Sequence, residues 1–298
     1  MFGGQGLQEL VEMFEKRGVS LFHACQFLDF ESYLKIGGIP SRELMTKSGL
    51  VLTAFDTDAT DKANKVWDKV FANLSDFGYT FAYDGNSVPN PYGPIVFNIS
   101  PLALLEAGDV AICLRSAGAA GFDRAAECLG SVTDVNRVFL YPVEEEGSKS
   151  SRVKFSDRLA QEFGVPDARG PELSCTIANG YLPISFVNRV LTDPYVLGGK
   201  SLLRWLPDAK AFGQPALRCY ERFCSPSRKP IYSEIAGFIL KGISGLSDFA
   251  NEEDATPELK EWALGASQLD LDWQFKRFAR YLLEGTLRPI LGQSGELI

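Results

Sequence analysis

Histidine is all but missing: the 298 residues contain one, His23. Any imidazole chemistry falls to that position, and a zinc site would have to be built mainly from cysteine. Cysteine is sparse as well. Six are scattered at 25, 113, 128, 175, 219 and 224 with no CxxC pair, so no metal site is expected. Cys25, Cys113 and Cys175 fall inside apolar, strand-like runs, which reads as buried free thiols in a reducing cytosol rather than as disulfides. No apolar run approaches the roughly 18–20 residues a membrane helix requires. The first residues, MFGGQGLQEL, lack a basic segment followed by an apolar one. The expectation is a cytoplasmic protein without a membrane partner. There is also no Walker A, no G-x-S-x-G, no HExxH and, in the small-residue run AGAAG at 117–121, no GxGxxG. Nothing marks a nucleophile for a Ser-His-Asp hydrolase.

What is present suits a folded core: 45% hydrophobic and 23% charged residues are globular values. The net charge of −8 argues against a surface coated in basic groups for indiscriminate nucleic-acid binding. The charge is uneven. Residues 197–243 hold eight cations to three acids, whereas residues 246–275 hold eight acids and Lys260 alone. That is either a basic face beside an acidic one or a set of ordinary solvated helix faces.

The stretch that organises the chain is DARGPELSCTIANGYLPISFVNRVL, residues 167–191. Glu172 stands ahead of the apolar run 173–177, Gly180-Tyr181 supplies a turn, and a second run over 184–191 ends at Asp193-Pro194. The pattern predicts two adjacent strands with a carboxylate at the mouth of the first. Towards the N-terminus, Leu7, Leu10, Val11 and Phe14 form a helical stripe that Gly18 stops. A short strand leads into His23. Asp29 is placed to cap a helix that ends at Gly37-Gly38, and the loop Ile39-Pro40-Ser41-Arg42 follows. Val51–Phe55 reads as a strand. Ala59, Ala63, Val66, Trp67, Val70, Phe71 and Leu74 predict one helix closed by Gly78, with Asp56, Asp58 and Asp61 as helix-start charges. Further strands are expected over 79–83, 95–99, 110–114 and 137–143, a surface loop over 144–151, and a helix over 155–163. After Pro194 the pattern turns helical, at 201–206, 214–224, 231–243, 257–265 and 271–284. The fold class expected is therefore α+β to about residue 195, with residues 196–298 as a helical region packed on it or forming its own lobe.

Two residues are candidates for chemistry on their own terms. His23 lies at a strand end, where a lone histidine is as readily a structural residue bonded to backbone. Glu172 precedes a strand, where many acids simply face water. Its functional reading needs a substrate that develops positive charge, as in glycosyl transfer. Arg115, after the 110–114 run, has the shape to hold a phosphate or a carboxylate.

Three segments in order resemble ADP-ribosyltransferases of the diphtheria-toxin-like branch, and most of all the DarT group of toxins that modify nucleic acid. LFHACQFLDFESYLKIGGIPSREL is similar to the first motif, YGPIVFNISPLALL to the segment after the donor loop, and PELSCTIANGYLPISFVNRVL to the last motif. The resemblance covers roughly residues 19–192 and implies a split β-sheet core with flanking helices. It has no counterpart for residues 196–298, which leaves target or partner recognition as the expected role of that region. It implies NAD as co-substrate and no metal. By that resemblance His23, with Ala24 beside it, meets an NAD ribose. Phe97 takes the aromatic position where the family often has Tyr. Arg42, preceded by Ser41, is the candidate arginine with Arg115 in reserve, and Glu172 is the catalytic acid. It further implies a nucleic-acid acceptor, DNA or RNA, and an antitoxin partner. A protein acceptor, or a non-catalytic binding module on the same scaffold, are the alternatives.

Overall fold

The structure, a computed structural model, describes all residues except 84, 120, 143–151, 157, 166–167, 169 and 295–298. The expected loop at 144–151 lies outside the described residues. The α+β class holds. The described residues form a seven-stranded sheet flanked by helices, with strand order β11-β8-β4-β1-β3-β6-β5. These strands are β1 (Leu21–Cys25), β3 (Val70–Asn73), β4 (Ile95–Ile99), β5 (Ala107–Cys113), β6 (Glu172–Ile177), β8 (Val187–Thr192) and β11 (Cys219–Glu221). A smaller pair joins β2 (Gly38–Pro40) to β7 (Tyr181–Pro183), and a second joins β9 (Val196–Leu197) to β10 (Lys200–Ser201). Every pairing in the large sheet is antiparallel except β11 with β8.

The apolar runs explain the centre of this sheet. All five residues of β4 are buried, as a strand covered on both faces requires. The N-terminal stripe forms α1 (Gly4–Arg17), whose Leu7, Leu10, Val11 and Phe14 are buried. Each such side chain contributes roughly 1.5–3 kcal/mol on removal from water. Gly18 then ends α1 in the left-handed conformation at φ 70°, which a side chain there would resist.

The sheet is seamed. β1 pairs with β4 over five residues, but with β3 through Phe22–Asn73 alone. It divides there into one half, β11-β8-β4-β1, and another, β3-β6-β5. The chain around the seam differs from its sequence pattern. The helix expected over 57–78 is three elements: α4 (Asp58–Ala63), then β3, then α5 (Phe77–Tyr83). Lys65, left-handed at φ 56°, terminates the first. From Val70 the buried residues alternate, Val70, Ala72 and Leu74, so period two wins over helical spacing. α5 also replaces the strand expected at 79–83. The strand expected at 51–55 is irregular chain. Of the one expected at 137–143, residue 143 lies outside the described residues and the rest is instead the end of a helix, Val132–Arg137, followed by turn and bend with Phe139 bridged to Phe155. Within 214–224 the structure forms β11 rather than a helix.

Two further expectations are corrected. α2 (Phe27–Ile36) has Gln26 at its N-cap position, with no capping side-chain bond, and Asp29 lies inside the helix and accepts the Thr53 amide at 2.8 Å. Cys113 and Cys128 are not free thiols. They face each other across an antiparallel bridge and are joined as a disulfide, with Cα atoms 4.1 Å apart.

Beyond residue 195 the chain is mainly helical, including Lys229–Leu240, Pro257–Gln268 and Asp272–Leu282. It shares the core of the sheet: β11 extends that sheet, and one apolar cluster runs from Leu10 through Phe97 to Phe275. The Thr286 hydroxyl accepts from the Phe27 amide and donates to Gln26. Among the described residues no helix is long and apolar enough to cross a membrane.

Candidate functional site

A cleft opens along the seam of the sheet. Its enclosed part measures about 110 Å³, and about 830 Å³ with the open mouth included. His23 and Ala24 on β1, Phe71 and Asn73 on β3, and Glu172 on β6 line it. Phe22, Asn73 and Glu172 form one row across the three strands. With strands about 4.8 Å apart, that row spans about 10 Å. The resemblance pointed to a histidine and an acid far apart in sequence, and both border this one cleft.

His23 holds the seam together where the backbone ladder stops. Its Nδ1 lies 2.7 Å from the Phe71 carbonyl, and its Nε2 lies 3.0 Å from the Tyr33 hydroxyl. A carbonyl only accepts, so Nδ1 carries the proton; Nε2 then accepts from Tyr33. Burial pushes the imidazole down to about 4, helped by the positive Arg42, and the Phe71 bond only partly offsets this. His23 is thus a neutral, oriented group near pH 7.

Glu172 begins β6 between Asn73 and Cys113. Its carboxylate accepts the Ala117 amide at 3.0 Å. Burial raises its pKa to about 7. The Ala117 amide and the Ser116 hydroxyl oppose that rise, while the negative Asp61 adds to it. A carboxyl poised near neutrality in a cleft has the signature of a functional acid. Asp61 also lines the cleft, and burial raises its pKa too. The sequence pattern gave it only a helix-start role. Its place opposite the 116–118 loop, where Gly118 is packed against it, comes from tertiary structure.

Arg42 opens α3 (Arg42–Lys47) and lines the cleft. It is already engaged: Nη2 meets both Asp58 oxygens at 3.0 and 3.1 Å and bonds the Thr53 carbonyl, and Nη1 lies 3.8 Å from buried Asp29. Arg42 Nε is buried in this corner without a hydrogen-bond partner. Such an orphan is costly unless something completes it.

The other expected site residues stand elsewhere. Phe97 is fully buried, packed on Phe30 and Tyr33 at ring distances of 5.7 and 5.8 Å, and does not line the cleft. The aromatic rings that do are Tyr33, Phe55, Phe71 and Tyr92. Tyr92 stands at the head of the YGPIVFNI segment; burial and the nearby Glu172 push its phenol up to about 12. Ser41 is buried and caps α3, accepting the Leu44 amide at 3.2 Å. Arg115 turns away from the cleft into a two-pronged pair with buried Glu127, at 2.8 and 2.5 Å, so its neighbour Ser116 is the cleft residue of that loop.

No family model matches this chain, and no curated protein matches it. The chemical reading rests on the geometry. The cleft offers a carboxylate near neutrality, a fixed neutral imidazole, an arginine with an unsatisfied buried N–H and several aromatic faces. That set suits an elongated ligand with an anionic middle and ring systems at its ends. The enclosed volume falls short of the roughly 300–1,000 Å³ of typical ligand pockets. Phe55, Asp58 and Asp61, all on the 53–61 segment, form part of the cleft wall.

Proposed function

We propose that this protein is an NAD-dependent ADP-ribosyltransferase that transfers ADP-ribose to a nucleic-acid acceptor. The observation that carries the reading is the convergence of His23, Arg42 and Glu172 on one cleft at a split sheet. Breaking the nicotinamide–ribose bond builds positive charge at the ribose carbon, and the ionised Glu172 stabilises it. The carboxylate also accepts a bond from a ribose hydroxyl about 3 Å away. Arg42 suits the pyrophosphate, given release from Asp58. Tyr92 offers a face for the nicotinamide, the role the resemblance gave to Phe97. The Tyr33 hydroxyl, held by its bond to His23, keeps an acceptor lone pair for a ribose hydroxyl.

A DarT-like role as a toxin or antiphage effector accords with this chemistry. Such an activity endangers its own cell, so an antitoxin belongs with it: an inhibitor protein or an ADP-ribose-removing hydrolase.

One observation favours the non-catalytic alternative. Both His23 nitrogens are already bonded within the protein. A purely structural histidine would look the same. Incubation of the intact protein with labelled NAD and mixed DNA and RNA separates the readings. Nicotinamide release, and an ADP-ribose adduct on nucleic acid by mass spectrometry, are expected. No release from the folded protein would remove the enzyme. Label that survives nuclease but not protease would replace the acceptor with a protein.

A further inference from the structure

The Asp272–Leu282 helix has two unlike faces. Phe275, Phe278, Ala279 and Leu282 are buried in the core. Trp273 is 55% exposed, and Lys276, Arg277 and Arg280 follow it at i+3, i+4 and i+7, so the indole and three cations share one stripe. Beside these cations runs a groove of about 450 Å³, closed on its far side by Ile239 and the 242–244 turn that follows the Lys229–Leu240 helix. The Nε of Arg277 is buried without a hydrogen-bond partner.

Not all of this charge is free. Asp272 meets Lys276 at 2.8 Å, with Asp248 also near it, and Asp56 meets Arg280 at 2.5 Å. The second pair is informative. Asp56 lies between Phe55 and Thr57, which line the candidate cleft, and its amide donates to the Tyr281 hydroxyl at 2.8 Å. Phe55, a cleft residue, packs edge-on against Tyr281 at 4.7 Å. The cationic stripe therefore ends at the mouth of the cleft.

We propose that this groove, together with Trp273 one turn along the helix and outside the groove's lining, is the acceptor track: it binds a single-stranded nucleic acid, with phosphates along Lys276, Arg277 and Arg280 and one base stacked on Trp273. The inference rests on the nucleic-acid reading above and adds where that acceptor lies. An exposed indole can stack on the open face of an unstacked base, which a duplex does not present. A stripe of cations on an acidic protein attracts a polyanion only locally, so binding is strongly salt-dependent. An acidic peptide has the charge but no base to stack.

The test uses the full chain without NAD and fluorescein-labelled 12-mers of single-stranded DNA, single-stranded RNA and duplex DNA, read by anisotropy. Single strands bind, and duplex binds at least about tenfold more weakly. Trp273→Ala and Arg277→Ala each weaken single-strand binding by about tenfold, and Trp273→Phe restores most of it. Lys276→Ala lowers the slope of log affinity against log salt by about one. Single strands quench indole fluorescence in the parent and lose most of that quenching in Trp273→Ala. The proposal is overturned if both alanine variants, with far-UV circular dichroism and melting intact, keep parental affinity. It is equally overturned if polyglutamate competes as well as the oligonucleotide. Because binding is read without NAD, a parent that binds single strands yet never cleaves NAD loses the enzymatic reading and keeps the groove. A parent that cleaves NAD while the variants bind normally loses the groove alone.

Discussion

His23 donates from Nδ1 to the carbonyl of Phe71, across the one place where β1 and β3 part. A side chain there takes over from the backbone ladder, and the same ring faces the cleft. His23→Ala leaves the Phe71 carbonyl and the Tyr33 hydroxyl without their partner and costs roughly 2–4 kcal/mol. Tyr33→Phe removes one bond and costs about 1 kcal/mol. Urea midpoints at pH 7.5 measure both. The acid side has a sign. The folded pKa of about 4 lies below the ordinary 6.5, so the unfolded chain binds the proton more readily between those values. His23 thus destabilises the fold as pH falls from 6.5 towards 4, and His23→Ala removes that slope.

Glu172 runs the other way. Its folded pKa of about 7 stands above the ordinary 4.5, so the folded protein holds the proton more tightly in that window. Stability then falls as pH rises from 4.5 to 7 by up to about 3 kcal/mol, opposing the His23 slope. Glu172→Gln deletes this fall and still accepts the Ala117 amide. It melts at or above the parent temperature at pH 8, while NAD cleavage drops at least ~10²-fold. In the parent, kcat/KM for NAD cleavage rises with pH through an inflection near 7, because only the ionised acid stabilises the developing charge. A flat profile, or full activity in the Gln variant, removes Glu172 from the site.

Which parts of this were legible beforehand follows from how the signals arise. The α1 stripe, its glycine stop and the strands β4 and β6 came through because burial imposes its own period on the chain. β3 did not: four residues long, it sits where the apolar spacing also satisfies a helix. Tyr92 carries no periodic signal at all, since it lies in a loop rich in proline and glycine. The Cys113–Cys128 bond was hidden because spacing does not reveal connectivity. His23, Arg42 and Glu172 were reached through motif order, which conveys neither the clamp on Arg42 nor the carboxylate neighbour Asp61.

Tyr92 and Phe97 are separable by experiment. Phe97 belongs to the core, so Phe97→Ala costs about 3–5 kcal/mol and affects NAD binding only through the fold. Tyr92→Ala raises KM for NAD by about tenfold with a smaller loss of stability, and Tyr92→Phe, which keeps the ring, restores most of the affinity. Equal effects of Tyr92→Ala and Tyr92→Phe would show that the phenol oxygen, not the face, is what matters.

Arg42 is held by Asp58 at the wall of the cleft, and an anionic ligand has to compete with that carboxylate. Asp58→Asn removes the charge while keeping the shape, so it loosens the 53–61 segment and lowers KM for NAD severalfold, at a cost of roughly 1 kcal/mol to the fold. Arg42→Ala does the opposite. Buried Asp29 loses its nearby cation, the fold loses about 3 kcal/mol, and NAD affinity falls. Arg42→Lys keeps the charge but not the two-pronged geometry, so it recovers stability more than affinity. Titration of nicotinamide release against NAD concentration in the three variants, beside their melting curves, measures each effect. An Asp58→Asn variant whose KM rises instead would mean that the Asp58–Arg42 pair forms part of the NAD site and does not shut it.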